Sequence, residues 1–269
     1  MDDVSASQAG TISLGEATVN RLGLGTNRIN DNEEGYSLLR AAVELGVNFI
    51  DTAHRYTNGE SEKGIGNALA PYKDGLVIAT KGGMEGASRE KLEAELHQSL
   101  ANLKTEQIYL YQLHRVDPQI SISETMEVLK DFQDQGLIKH IGLSEVDIDQ
   151  LKQATSVAPV VSVQNEYNVI NRKHEDLLNY CTDNNIIFIP WFPLGGLMGD
   201  AQVVEQKLDA IAKKYEASAQ QIALSWLLKR SPIILPIPGT LSVDHLKDNL
   251  KASLIDLSQE DYEALSSLV

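Results

Sequence analysis

The chain has 269 residues, 42% of them apolar and 23% charged, which is enough for one large hydrophobic core and an ordinary globular mixture. Its 38 acidic and 23 basic side chains leave a net charge of -15, so nucleic acid and anionic membranes are disfavoured as partners. The single cysteine, Cys181, excludes an intrachain disulfide and a cysteine-based zinc site.

Residues 1–10 read as a loose tail with neither the basic n-region nor the apolar h-region of a signal peptide. No run of 18 apolar residues follows, so nothing is expected to span a membrane, and a reducing cytoplasm is the expected setting. Residues 11–20, TISLGEATVN, read as a hairpin turning at Gly15-Glu16. Beyond it, short apolar strands alternate with helical patterns. Strands are expected at 21–25, 47–51, 75–80, 108–114, 138–144, 160–164, 186–190 and 233–237. Helices are expected near 33–45, 60–70, 88–103, 121–135, 147–156, 173–184, 203–214 and 242–251, with extra ones at 219–230 and 258–268.

Local chemistry supports these starts. Ser88 precedes an apolar stripe of Leu92, Leu96 and Leu100; Ser121 or Ser123 can cap the next helix; Ser258 with Asp261 resembles a capping box. The strands are nearly continuous in Val and Ile, as expected where a parallel sheet is covered on both sides. Eight strand–helix units in one domain of residues 1–269 point to a closed (β/α)8 TIM barrel with an N-terminal β-hairpin and extra C-terminal helices. An open doubly wound sheet is the alternative. It lacks its phosphate-binding turn here, because the first strand runs into GLGTNRIND, and no Walker A pattern occurs.

In such a barrel, chemistry sits at the C-terminal ends of the strands. Asp51, Lys81 and His114 end neighbouring strands, and Tyr56 follows Asp51 closely enough to reach back over the mouth. An ammonium and a carboxylate buried together satisfy each other, and a nearby ammonium favours the phenolate. The chemistry suggested is proton transfer at an oxygen. A structural ion pair and a satisfied core histidine are the plain alternatives. A metal site at Asp51, His54 and His114 is disfavoured, since Lys81 would repel the cation. Trp191 and Phe192 offer an aromatic surface for a planar ring, and Ser144 and Gln164 can hydrogen-bond an amide. The stretch PGTLSVDHLKDN puts backbone donors and Ser242 at a helix start suited to phosphate.

Eight motifs in order, LGLGT, DTAHRYTNGESEKGIGNAL, IATKGG, YLYQLHRVD, IKHIGLS, VQNEYN, PWFPLGG and IPGTLSVDHLKDN, resemble the aldo-keto reductase family in a bacterial-type, NADP(H)-dependent form, from about residue 11 onward. The resemblance implies an oxidoreductase that transfers hydride from NADPH to the carbonyl of a small aldehyde or ketone. Tyr56 would be the general acid, Lys81 its tuning cation, Asp51 the partner of Lys81, and His114 the group orienting the carbonyl. By the same resemblance Thr26 would sit near the nicotinamide ribose, Ser144 and Gln164 would bind the carboxamide, and Trp191 would stack on the ring. Phe192, Pro193, Leu194, Gly195 and Leu197 would line the pyrophosphate. Gly239, Thr240, His245, Asp248 and Asn249 would surround the adenosine end. No metal is implied, and a monomer acting on a small-molecule carbonyl substrate is expected.

Two departures stand out. Many members have Ser-Asn where this chain has Ser144-Glu145, and many carry basic residues where it has Gly239 and His245. NADPH recognition would then lean on Thr240, backbone donors and a protonated His245, with some tolerance of NADH. Two other functions fit the same fold: a noncatalytic, regulatory cofactor-binding barrel, and a Schiff-base lyase or isomerase using Lys81. Against the second, Asp51 would keep the Lys81 ammonium charged.

Overall fold

The computed structural model describes residues 4–195 and 202–268. At its base lies the expected hairpin, β1 (Thr11–Leu14) paired antiparallel with β2 (Ala17–Asn20). Gly15 turns it at φ 56°, and a Cβ there would fall 2.2 Å from the His140 ring, so both conformation and space require glycine. The hairpin plugs the lower end of the barrel, where Leu14 and Val19 are fully buried with Phe49, Val77, Leu110 and Leu235. The Tyr109 hydroxyl pins it from inside, accepting from the Ala17 N–H at 2.8 Å and donating to the Leu14 carbonyl at 2.9 Å.

Seven parallel strands follow in chain order: β3 (Leu24–Gly25), β4 (Phe49–Asp51), β5 (Val77–Gly82), β6 (Ile108–Leu113), β7 (Ile138–Ser144), β8 (Val160–Gln164) and β9 (Ile187–Phe188). Helices α1 (Glu33–Glu44), α2 (Glu60–Leu69), α3 (Arg89–Leu103), α4 (Ile122–Asp134), α5 (Ile148–Thr155) and α6 (Glu175–Asp183) alternate with them, and α7 (Gln202–Lys214), α8 (Ala219–Arg230), α9 (Val243–Leu250) and α10 (Gln259–Ser266) complete the coat. Caps set their starts: Ser88 accepts from the Lys91 N–H, and Ser121 closes a reciprocal box with Glu124. Ser258 caps α10 without that reciprocity, because the Asp261 carboxylate pairs with Lys214 at 2.7 Å and the Ser258 N–H donates to Tyr215.

The segment expected as an eighth strand, 233–237, closes the ring without forming a ladder. Leu235 N–H donates to the Phe188 carbonyl at 2.9 Å, and Gly23 N–H to the Pro236 carbonyl at 3.0 Å. Pro236 and Pro238 have no N–H to donate, which removes alternate rungs. Closure also needs Gly25, where a Cβ would sit 2.7 Å from the Ile237 carbonyl oxygen. The start of the chain also differs from a loose tail. Ala6–Ala9 form a 3-10 turn with Ser5 and Gln8 capping each other, and buried Ala6 donates its N–H to the Leu45 carbonyl at 2.9 Å.

The period of two along each strand sorts the barrel interior by height. Phe49 points inward below Asp51, Val77 and Ala79 below Lys81, and Leu110 below Gln112; the lower residues share one apolar cluster and the upper ones are polar. The polar layer is therefore the floor of the barrel's open end.

Candidate active site

Asp51 ends β4, and the chain beyond it keeps pairing with β5. Thr52 N–H donates to the Ala79 carbonyl at 2.8 Å and His54 N–H to the Lys81 carbonyl at 3.0 Å. The turn over 56–59 then folds back, with Thr57 and Asn58 at φ 48° and 57° and Gly59 at φ 86°. This sharp reversal carries Tyr56 over Lys81.

Lys81 is fully buried, and all its donors are engaged. Its Nζ lies 2.6 Å from Asp51 Oδ2, 2.7 Å from the Thr52 carbonyl oxygen and 3.2 Å from the Tyr56 hydroxyl oxygen. Burial works to lower the Lys81 pKa, but the Asp51 carboxylate and the Tyr56 oxygen outweigh it, and the net direction is upward. The Asp51–Lys81 pair thus favours the charged ammonium. Asp51 Oδ1 accepts from Gln164 at 2.8 Å and from Gln112 at 3.1 Å, so the carboxylate is satisfied on both oxygens. His114, half-buried at the end of β6, meets the Tyr56 ring edge-on at 5.9 Å, and its Nδ1 is buried with no partner among the described residues. Burial, then the positive charges of Lys81, Arg115 and Arg55, push its pKa down to about 3, which leaves a neutral imidazole.

These groups open onto a cleft of about 520 Å³. Of the expected site residues, Thr26, Asp51, Tyr56, His114, Ser144, Gln164, Trp191, Phe192, Pro193, Leu194 and Gly239 line it. Several are committed differently than expected. The Thr26 hydroxyl donates to the Asp51 carbonyl at 2.9 Å, so it braces the β4 end. The Gln164 amide N–H₂ is spent on Asp51, which leaves its carbonyl oxygen for a ligand. Lys81 lies beneath the cleft and borders a second cavity of about 430 Å³, which it shares with His54, Arg55 and His114.

The outer residues are more scattered. Gly195, at φ 60°, packs tightly on Asn168 and does not line the cleft. The Thr240 hydroxyl is turned into the cap of α9, accepting from the Ser242 N–H at 3.1 Å. Asn249 is buried, His245 is exposed on the first turn of α9, and Asp248 pairs with Lys251 at 2.8 Å. Leu197 lies outside the described residues.

Two contributors were not anticipated. Gln112 faces Lys81 across the β5–β6 register, and an inward polar residue in the run IYLYQL was the available signal. Glu145, noted only as a departure, takes φ 55° and accepts from the Trp191 indole N–H at 2.6 Å and the Glu166 N–H at 3.3 Å. It holds the edge of the aromatic wall. The buried acid Glu62, tied to Thr80 at 2.6 Å and Asn102 at 3.1 Å, anchors α2 behind the site.

The aldo/keto reductase family profile matches residues 21–269. The chain belongs to the aldo/keto reductase family. An uncharacterised oxidoreductase of Schizosaccharomyces pombe is 43% identical over 97% of this chain and 90% of its own. Pyridoxine 4-dehydrogenase of Escherichia coli is 36% identical over 96% and 98%. The likeness is thus not confined to bacterial proteins. A thermostable aldo-keto reductase crystallised with the inhibitor epalrestat superposes at a TM-score of 0.90, 34% identical, covering 96% of this chain and 99% of its own. An aldo-keto reductase of Klebsiella pneumoniae in complex with NADPH superposes at 0.87, 28% identical, covering 96% and 94%. The fold and the enzyme class follow: this is an oxidoreductase on the (β/α)8 architecture of that family.

Proposed function

We propose that the protein reduces the carbonyl of small aldehydes or ketones with NADPH, and that Tyr56 supplies the proton. The observation that carries this reading is the Asp51–Lys81–Tyr56 chain of hydrogen bonds ending at the floor of an open cleft, with neutral His114 beside the phenol. Lys81 donates to the phenol oxygen, so negative charge left on that oxygen after proton transfer is stabilised in place. His114 can donate a ring N–H to a carbonyl oxygen and orient it toward the Tyr56 hydroxyl.

The cleft fits a dinucleotide. It runs from Tyr56 past the wall of Trp191 and Phe192 to Gly239, just before α9. The first N–H groups of α9 have no intrahelical acceptor, and Ser242 takes only that of His245, so donors remain for phosphate. Ser144 and the Gln164 carbonyl oxygen would hold the carboxamide, and the first turn of α9 the adenosine phosphate. The cofactor supplies the hydride when bound. Because no guanidinium sits at His245, we expect NADPH to be preferred by a modest margin with NADH accepted.

Schiff-base chemistry at Lys81 has little support. Its three donors are all occupied and the side chain is fully enclosed, so no free amine faces the cleft.

The test is turnover of an aldehyde and ketone panel with NADPH and NADH, followed at the reduced-cofactor absorbance. Pyridoxal belongs in the panel because one relative is a pyridoxine 4-dehydrogenase. Tyr56→Phe keeps the ring and the packing, so NADPH binding should persist while kcat/KM falls by roughly 100-fold or more. Near-normal turnover in that variant would remove Tyr56 from the reaction.

A further inference from the structure

We infer that the physiological substrate carries an anionic group, a carboxylate or a phosphate, and that Arg115 receives it on the His114 wall of the cleft. This rests on the carbonyl-reductase reading above and adds the substrate class to it.

The charge distribution points there. The chain carries 38 acidic side chains against 23 basic ones. Around the cleft that excess of acid is absent: Arg28 and Arg115 stand against Asp51 and Glu145 on its lining, and the cavity behind His114 adds Arg55, Lys63 and Lys81 against Glu85 and Glu95. The carboxylates on the lining are both engaged. Asp51 binds Lys81, Gln112 and Gln164, and Glu145 binds the Trp191 indole and the Glu166 N–H.

Among the described residues, two cations of the lining have no carboxylate partner, Arg28 and Arg115. Lys81 is saturated by its three acceptors. Arg28 donates to the Gly239 carbonyl at 3.1 Å, on the far side of the cleft, and Arg55 pairs with Glu85 at 2.7 Å. Arg115 makes no hydrogen bond or ion pair among the described residues, although it is exposed and lines the cleft. It directly follows His114, whose N–H is pinned to the Gly82 carbonyl at 2.7 Å, so its backbone is fixed at the reacting end. A guanidinium offers a planar fork that matches carboxylate and phosphate oxygens.

The state of His114 sharpens the division of labour. Were it protonated, it would compete for the anion beside Tyr56. Held neutral, it leaves the negative group to Arg115 and keeps the carbonyl oxygen for Tyr56.

The experiment compares matched pairs with NADPH: 4-formylbenzoate against its methyl ester, and glyceraldehyde 3-phosphate against glyceraldehyde. In wild type the charged member of at least one pair should have the higher kcat/KM, by about 10-fold at low salt. Which pair shows it separates carboxylate from phosphate. In Arg115→Gln that ratio should collapse toward one, in Arg115→Lys it should fall part-way, and added salt should lower it in wild type. Turnover of the neutral compounds with no preference for charge in wild type, or a ratio that survives Arg115→Gln, overturns the anion assignment and leaves the reductase reading intact. Turnover of none of the four overturns both.

Discussion

His114 is the ionisable group whose charge the site controls most visibly, and its displacement has a thermodynamic signature. In an unfolded chain a histidine takes up its proton near pH 6.5, whereas His114 in the folded protein does so only at about pH 3. Between those values the unfolded state holds more protons than the folded one. Stability therefore rises with pH across that window, and it is lost as pH falls. The half-buried ring tempers the size, and a loss of about 1–2 kcal/mol by pH 5 is the reasonable scale. His114→Gln removes the titrating group, so wild type should lose more stability than the variant between pH 7 and pH 5 in urea denaturation. Parallel losses in the two proteins would mean that the imidazole is not held neutral by the fold. The same residue was readable from sequence as the polar end of a strand, as were Asp51 and Lys81. Gln112 offered only the weaker signal of a polar residue within an apolar run; its meaning lies in the Asp51 oxygen it faces.

At the scale of elements, α9 carries the question of cofactor choice. Its first turn presents unpaired N–H groups and the exposed side chains of Asp244 and His245, and one turn on Asp248 pairs with Lys251. No side chain of that first turn supplies a fixed positive charge at the position proposed to meet the adenosine phosphate. His245→Arg should lower the NADPH dissociation constant several-fold and leave that of NADH unchanged, read by fluorescence titration. Equal tightening of both would place the phosphate elsewhere. The helices were legible in the sequence because caps and apolar stripes are local signals, and Ser88, Ser121 and Ser258 act where they were expected. The closing segment was misjudged for a non-local reason. Its apolar run looks like a strand, but Pro236 and Pro238 withhold the N–H groups that a neighbour needs. The turn at Ala6–Ala9 has a local signal in the Ser5–Gln8 box, but what docks it on the barrel, the Leu45 carbonyl, is remote in sequence.

On the scale of the whole molecule, the barrel is a ring with unequal joints. The β6–β7 joint runs in continuous register from Ile108 opposite Ile138 to Leu113 opposite Leu143. The joint between β9, the closing segment and β3 hangs on isolated rungs at Phe188, Leu235 and Gly23. Local opening follows the weakest joint, so amide protons there should report the ring's breathing. Deuterium should enter at Gly23 and Leu235 well before Leu110 and Ile141, resolved by mass spectrometry of backbone exchange. The seam also lies under Gly239, one end of the proposed dinucleotide channel, while Trp191 follows β9 on its other flank. A dinucleotide laid from one flank to the other would act as a clasp, slowing exchange at the seam far more than in β6 and β7. Uniform slowing, or none, would show the ring to be equally tight all round. With such a clasp, the molecule would draw part of its resistance to heat and proteolysis from the cofactor concentration around it, as much as from its own packing.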